Sequence, residues 1–144
     1  MGTVLTATDP TGVTITCSSE TWYGHIITNS GHTIMKGNKN AVKETLEDPD
    51  SIYKSSESDD RLVYFKQGAV ATYNSSMHTK VVTKKTGENT GEVVTSWPQP
   101  KPTGGIGDVV YKYSMIMIRV MIYCIVLLRT RAILMATKTQ TVLL

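Results

Sequence analysis

A predicted β-hairpin in the second half of the chain constrains the fold more than any other feature. The run Lys80 to Lys85 has the β-branched composition of a strand, and so has Glu92 to Trp97. The segment between them, Thr86-Gly87-Glu88-Asn89-Thr90-Gly91, is rich in turn-forming residues. Residues Lys80 to Trp97 therefore predict an antiparallel hairpin, and the prolines that follow Trp97 end it.

Further strands and two helices are predicted on the amino-terminal side of this hairpin. Arg61 to Lys66 is nearly continuous in apolar character, and Val13 to Cys17 alternates apolar residues with threonine, so both are predicted strands. Two serines can cap a short helix over Glu20 to Ile27. A second helix is predicted over residues 40–47, where apolar residues share one face and Pro49 enforces the end.

The order of these elements predicts an α+β fold. Helices come first and strands follow, so we expect the N-terminal helices to pack on one face of a small antiparallel β-sheet. A chain of 144 residues can form one ordinary core. We assign residues 1–112 to this domain and residues 113–144 to an apolar C-terminal tail of uncertain status.

The tail is too short and too charged to be a typical membrane span. Met115 to Leu128 is apolar apart from Arg119, with further arginines just beyond it. A membrane helix needs roughly 20 apolar residues, and an arginine at its centre costs about 2.5 to 3.5 kcal/mol on insertion scales. Membrane association is therefore not expected. Three accounts of the tail stay open: an extra core element, a translated remnant unrelated to the domain, and a membrane anchor.

The charges of the chain are distributed unevenly along its length. Residues 1–60 carry four lysines and nine acidic residues, whereas residues 61–144 carry eleven lysines and arginines and three acidic residues. A basic half suits an anionic partner such as RNA or an acidic membrane, because contacts from Lys and Arg to phosphate supply most sequence-independent affinity. The alternative is a solvated basic surface that only keeps the protein in solution.

Other composition features exclude several kinds of site. Cys17 and Cys124 lie far apart and in no zinc-binding spacing, so neither a metal site nor a disulfide framework is indicated. The glycine-rich segment at residues 104–107 lacks the lysine of a phosphate-binding loop and is interpreted as a flexible turn, so no cofactor is expected. Residues 1–10 have neither a basic start nor an apolar stretch, which argues against a signal peptide and favours a location in the cytoplasm, or delivery to the cytoplasm of a target cell.

Histidine is the side chain best suited to proton exchange near neutral pH, and the chain has three. His25 and His32 lie seven residues apart, while His78 has no evident partner. A pair of histidines is weak evidence by itself, since both can be ordinary hydrogen-bonding residues. The order of the surrounding segments adds the context.

The ordered segments are Thr21-Trp22-Tyr23-Gly24-His25-Ile26-Ile27, Gly31-His32, Thr45-Leu46-Glu47-Asp48-Pro49-Asp50-Ser51-Ile52, Arg61 to Phe65, Lys80-Val81-Val82, and Gly91-Glu92-Val93-Val94-Thr95-Ser96-Trp97-Pro98. This order resembles the phage-encoded nucleases of the barnase, EndoU, colicin and RelE group (the BECR fold). The resemblance covers roughly residues 13–111. Each segment alone is unspecific, and the ordered set is moderately specific.

The resemblance implies an endoribonuclease that works without a metal. In such enzymes the ribose 2′-hydroxyl attacks the neighbouring phosphate and leaves a 2′,3′-cyclic phosphate. The reaction needs a base, an acid and a donor that stabilises charge at phosphorus. A toxin or phage effector with an RNA substrate is the implied role, and an immunity or antitoxin protein is a possible partner.

Seven residues are candidates for this chemistry. His25 and His32 are the expected acid and base, in either order; Lys80 is the expected cation, and Thr95 a hydroxyl donor to phosphate. Trp97 is a surface on which a base can stack. Each has an ordinary alternative: Lys80 and Thr95 as outward-facing strand residues, and Trp97 as core.

Arg61 and Tyr64 are the two remaining candidates, both for substrate binding. They share a predicted strand and lie three residues apart, so they face opposite sides of the sheet. At most one of them can belong to the site.

Two other classes of function stay open. A non-catalytic RNA- or protein-binding module would use the basic half and the tryptophans, and its binding would be sensitive to salt with no product formed. A membrane-active protein driven by Met115 to Leu128 would lose its function when residues 114–144 are deleted. Under the nuclease hypothesis that deletion leaves the chemistry intact.

Overall fold

The computed structural model of the protein describes residues 2–69, 75–113 and 122–131. Contacts divide the chain into two compact units, Met1–Tyr113 and Ser114–Leu144.

The first unit is built around a seven-stranded mixed β-sheet within the described residues. Its strands are β1 (Thr3–Thr8), β2 (Thr14–Ser18), β3 (Ser51–Ser55), β4 (Arg61–Gln67), β5 (His78–Lys85), β6 (Thr90–Gln99) and β7 (Ile106–Lys112). Their order across the sheet is β1-β2-β6-β5-β4-β3-β7. The β2–β6 pair is parallel, and the five other neighbouring pairs are antiparallel.

The helical segments of this unit lie between β2 and β3. Helix α1 (Ser19–Thr21) continues as a π-helical turn, Trp22–Ile26, and a 3₁₀ turn follows at Thr33–Met35. Ser18 caps α1, because its Oγ accepts a hydrogen bond from the Thr21 amide at 3.0 Å. Helix α2 (Lys39–Glu47) buries one face against β1, β4 and β5 through Ala41, Val42, Thr45 and Leu46.

The expected architecture, with N-terminal helices packed on one face of a small antiparallel sheet, is wrong. The chain begins with two strands, the sheet is larger and mixed, and the helical segments are short. Strands β1, β3 and β7 have no counterpart among the predicted elements. β1 was missed because its inward residues, Leu5 and Ala7, alternate with threonines, which have high strand propensity but do not mark a buried strand.

Several individual elements are confirmed. The predicted hairpin is the β5–β6 pair, in which Lys80 lies opposite Trp97. The helix predicted at residues 40–47 is α2, and the strand predicted at Arg61 to Lys66 is β4. The helix predicted over Glu20 to Ile27 exists only as α1 and the π-helical turn.

The sheet has a large core on one face and a small apolar cluster on the other. The main core combines strand residues with residues of the helical segments, among them Ile15, Tyr64, Val81, Val93, Trp22, Ile26, Met35 and Leu46. The second face holds Val63, Phe65 and Val82, with Trp97 and Ile106 packed against them. The second face therefore holds the smaller apolar cluster, and the side chains of the candidate site, such as Lys80 and Thr95, lie on it.

A β-bulge in β6 decides which residues reach this second face. Val82 lies opposite Thr95, whereas its neighbour Thr83 lies opposite Val93, so Val94 is the extra residue. In a regular strand Val93 and Thr95 would point the same way. The bulge instead leaves Val93 in the main core and turns Thr95 to the second face.

A buried carboxylate ties the β1–β2 turn to the centre of the sheet. The Asp9 carboxylate accepts hydrogen bonds from the Thr11 amide at 2.9 Å, the Thr11 hydroxyl at 2.8 Å and the Val13 amide at 2.9 Å. Its other oxygen accepts a hydrogen bond from the Tyr64 hydroxyl at 2.8 Å. Burial raises the pKa of Tyr64 well above its usual value, and the neighbouring Asp9 raises it further. The hydroxyl therefore keeps its proton and donates the hydrogen bond.

We expect Tyr64→Phe to lower the free energy of unfolding by about 1–3 kcal/mol, because it leaves a buried carboxylate oxygen without its donor. Urea denaturation measures the change. Tyr23→Phe is the matched control: Tyr23 is 54% exposed, and its variant should stay within about 0.5 kcal/mol of wild type. Equal stability of the two variants would show that the Asp9–Tyr64 bond does not support the fold.

In the second unit, residues 122–131 form a helix, α3, whose side chains are exposed. Thr130 donates its hydroxyl to the Val126 carbonyl at 2.8 Å within this helix. The remaining residues of the predicted tail, 114–121 and 132–144, lie outside the described residues. None of the helices in the described ranges combines the length and the hydrophobicity that a membrane crossing requires.

Candidate functional site

Strands β4, β5 and β6 bring four of the predicted site residues to the second face of the sheet. Arg61, Lys80, Thr95 and Trp97 line one cleft of about 360 Å³. The strand register explains this, because Lys80 pairs with Trp97 and Thr95 with Val82, all on the same face. The other lining residues are Ser55, Glu57, Val63, Val82, Gln99, Thr103, Gly104 and Gly105.

His32 joins this group from the loop between α1 and α2. Its ring stacks on the Trp97 ring, with the centroids 5.0 Å apart and the planes 14° from parallel. Its Nδ1 atom lies 3.4 Å from Thr95 Oγ1. Two turns hold the backbone here: the His32 amide donates to the Asn29 carbonyl and the Met35 amide to the His32 carbonyl, both at 2.8 Å.

The environment of His32 favours its neutral form. Partial burial lowers the pKa of His32 below its ordinary value of 6.5, and the nearby charge of His25 lowers it further. A neutral imidazole at pH 7 has a free lone pair and can accept a proton. His32 therefore has the protonation state of a general base.

His25 lies in a neighbouring cleft that shares one wall with the first. It belongs to the π-helical turn Trp22–Ile26, and its side chain is exposed. The cleft has a volume of about 500 Å³, and its lining includes Arg61, Lys84 and Glu92. Since Arg61 lines both clefts, the two form adjacent parts of one surface.

Lys80 is more deeply placed than the sequence indicated. It is 6% exposed, and its ammonium group donates to the Gly104 carbonyl at 2.7 Å. The same nitrogen lies 4.6 Å from the centroid of the Trp97 ring, within cation–π range. Burial lowers the pKa of Lys80, and Glu57 opposes that shift. Lys80 thus supplies a fixed positive charge at the base of the cleft.

The segment after β6 closes one side of the cleft and is held there by hydrogen bonds of the Gln99 side chain. Gln99 Oε1 accepts from Trp97 Nε1 at 3.1 Å, and its Nε2 donates to the Thr103 carbonyl at 2.7 Å. Gly104 and Gly105 have φ angles of +84° and +65°, which side-chain-bearing residues rarely adopt. A Cβ atom on Gly105 would also lie 3.3 Å from Glu57 Oε1.

Three residues of the cleft, Glu57, Gln99 and Gly104, are not predicted as site residues from the sequence. Glu57 stands in an acidic, serine-rich stretch that resembles an ordinary loop, and Gln99 follows the predicted end of the hairpin. The paired glycines at positions 104 and 105 were the one available signal. They mark a backbone that approaches other groups closely.

Arg61 and Tyr64 lie on opposite faces of β4, as their spacing predicts. Arg61 faces the clefts, and its Nε is buried without a hydrogen-bond partner among the described residues. Tyr64 is fully buried in the main core and donates its hydroxyl to Asp9. The structure therefore groups Arg61, but not Tyr64, with His32, Lys80 and Trp97.

Comparisons with known proteins add no assignment. No family model, curated protein or solved structure matches the chain. The resemblance to the barnase, EndoU, colicin and RelE group therefore stays a prediction. In the part of the chain that the structure describes, no group of three or more His, Cys, Asp or Glu side chains is arranged to hold a metal ion.

We expect a proton NMR titration of the histidines to give His32 a pKa below 6.5. The His25→Gln variant should raise the pKa of His32 towards 6.5 without reaching it, because burial, the larger cause, remains. His78→Gln is the matched control and should leave the His32 titration unchanged. A His32 midpoint at or above 6.5 in the wild type would contradict the described environment.

The same shift predicts how stability depends on pH. Because the folded-state pKa of His32 is depressed, its contribution to stability is fully present above about pH 6.5, the unfolded value. That contribution is lost as pH falls from there through the folded pKa. Urea unfolding of wild type and His32→Gln across this window measures the effect, and the variant should show a smaller loss of stability.

Proposed function

We propose that the protein is an endoribonuclease that cleaves RNA without a metal ion, and that its active site lies on the second face of the sheet. The observation that carries the proposal is the position of His32, which contacts both Trp97 and Thr95 beside a cleft lined by two cationic side chains. A proton acceptor and positive charge are groups that RNA transesterification needs, and a stacking surface can bind a base of the substrate.

In the proposed reaction the ribose 2′-oxygen attacks the adjacent phosphorus. His32 accepts the 2′-hydroxyl proton, because its lowered pKa keeps it neutral. The bond from phosphorus to the 5′-oxygen breaks, and His25 donates a proton to that oxygen. The products are a 2′,3′-cyclic phosphate and a free 5′-hydroxyl, so atoms and charge balance without a further reactant.

Arg61 and Lys80 are proposed to stabilise the charge that gathers on the phosphate oxygens. Arg61 lines both the cleft beside which His32 lies and the cleft of His25, and its Nε has no hydrogen-bond partner in the described residues. Lys80 contributes a nearby charge, although its ammonium donates to Gly104. Thr95 can donate its hydroxyl to a phosphate oxygen when His32 turns to the substrate.

Trp97 is proposed to receive a base of the RNA on the ring face that His32 covers, once His32 turns to the substrate. The ring is partly exposed and lines the cleft. Base–aromatic stacking contributes about 1–3 kcal/mol per base, and it tolerates any sequence because every base has a π-face. A ribonuclease of this kind acts as a toxin or effector inside a cell, and an immunity or antitoxin protein would be expected to cover this face.

The test is incubation of the full chain with end-labelled RNA in excess EDTA, followed by analysis of the product ends. We expect cyclic-phosphate ends from wild type. His32→Ala and His25→Ala should each reduce the rate by about a hundredfold or more, because a positioned acid or base contributes about 10²–10⁴-fold. Arg61→Met should reduce it by about 10²–10³-fold through loss of charge stabilisation.

His78→Ala is the matched histidine control and should cleave at the wild-type rate. His78 Nδ1 lies 3.3 Å from the Pro100 carbonyl, and no role in the reaction is assigned to it. Circular dichroism establishes that each variant is folded. Intact RNA with folded wild type would reject the nuclease, and salt-sensitive binding without cleavage would favour the RNA-binding module instead.

A further inference from the structure

A third cleft lies outside the proposed active site, between the first helical turns and helix α2. Its volume is about 400 Å³. It is lined by Trp22, Tyr23, Ile27, Lys36, Gly37, Lys39 and Asn40. No role in the proposed reaction uses any of these residues, so the cleft requires its own explanation.

The cleft combines positive charge with an exposed aromatic ring. Tyr23 is 54% exposed, whereas its neighbour Trp22 is 3% exposed and belongs to the core. Lys39 Nζ lies 5.7 Å from the centroid of the Trp22 ring and 5.8 Å from that of Tyr23. An exposed tyrosine that also borders an open cleft is an available stacking surface.

No acidic side chain within the described ranges neutralises the lysines of the cleft. Among the residues that the structure describes, neither Lys36 nor Lys39 forms an ion pair. By contrast, Lys43 on the same helix lies 3.8 Å from Glu47. Unpaired lysines beside an aromatic ring are the combination that binds the backbone and a base of single-stranded nucleic acid.

The cleft is connected to the proposed active site by a short segment of chain. Tyr23 and His25 belong to the same π-helical turn, Trp22–Ile26. Residues 29–37 then lead from this turn through His32 to Lys36. Tyr23 and His25 lie two residues apart in this turn, so their side chains point to different sides of it, and an RNA strand that reaches both must pass around the turn.

We propose that the cleft lined by Tyr23, Lys36 and Lys39 binds nucleotides of a single-stranded RNA that flank the scissile phosphate. This inference rests on the proposed ribonuclease function and names its substrate: an unpaired strand longer than a dinucleotide. Tyr23 stacks on one base, while the two lysines contact phosphates. The site contributes affinity for long substrates and takes no part in the bond-breaking step.

The test measures binding and cleavage separately. Binding uses a fluorescent octanucleotide with 2′-O-methyl riboses, which cannot react, and anisotropy is followed at several salt concentrations. Lys36→Gln and Lys39→Gln should each reduce the slope of log K against log salt by about 0.7, the value for one phosphate contact on a single strand. Tyr23→Ala should weaken binding about five- to a hundredfold through loss of one stack.

Lys43→Gln is the matched control, since Lys43 is an exposed lysine of the same helix outside the cleft. It should leave both the affinity and the salt slope close to wild type. In the cleavage arm, Tyr23→Ala and Lys39→Gln should raise KM for a long RNA and leave kcat/KM for a dinucleotide unchanged.

The two arms separate failure of this site from failure of the nuclease. If wild type binds the octanucleotide and the cleft variants weaken it while Lys43→Gln does not, the site is supported, even if no RNA is cut. If the cleft variants bind as wild type does, or wild type does not bind at all, the site is rejected. Cleavage of a dinucleotide by wild type would in that case still support the ribonuclease.

Discussion

The bulge at Val94 is the constraint on which the proposed site depends. Side chains of a regular strand alternate, so Val93 and Thr95 would share a face without it. The extra residue keeps Val93 in the main core and sends Thr95 to the face where Trp97 also lies. Strand β6 therefore contributes Val93 to the main core, and Thr95 and Trp97 to the cleft.

The site owes its electrostatic character to partial burial rather than to ion pairs. His32 is kept neutral because burial and the charge of His25 both disfavour its protonated form. Lys80 stays at the base of the cleft because the Gly104 carbonyl accepts a hydrogen bond from its ammonium group and the Trp97 ring faces its charge. The site therefore combines an unprotonated base with fixed positive charge, which is what attack on a phosphodiester requires.

Composition and periodicity predicted the elements that have strong local signals. The β5–β6 hairpin and helix α2 follow from turn-forming residues, from apolar spacing and from the stop at Pro49. The predicted overall architecture was wrong because β1, β3 and β7 were missed. β1 alternates apolar residues with threonine although it pairs with the next strand, β2, whereas β7 pairs with β3, which lies far away in sequence. Local patterns carry no information about such pairing.

The sequence predicted only part of the candidate site, for a similar reason. Four residues that were predicted for the site lie together in the structure: His32, Lys80, Thr95 and Trp97. The spacing of Arg61 and Tyr64 correctly placed only one of them at the clefts. The bulge and the contact between Lys80 and Gly104 were not predictable, because both depend on tertiary packing that no local residue pattern encodes.

Attack by the 2′-hydroxyl is the central claim, and substitution of that one group in the substrate tests it most directly. The measurement compares an RNA that wild type cuts at a defined position with the same RNA carrying a single 2′-deoxyribose there, both in excess EDTA. We predict a cyclic-phosphate end from the first and no cleavage at that linkage in the second. Equal cleavage of both, or cleavage that EDTA abolishes, would contradict the mechanism.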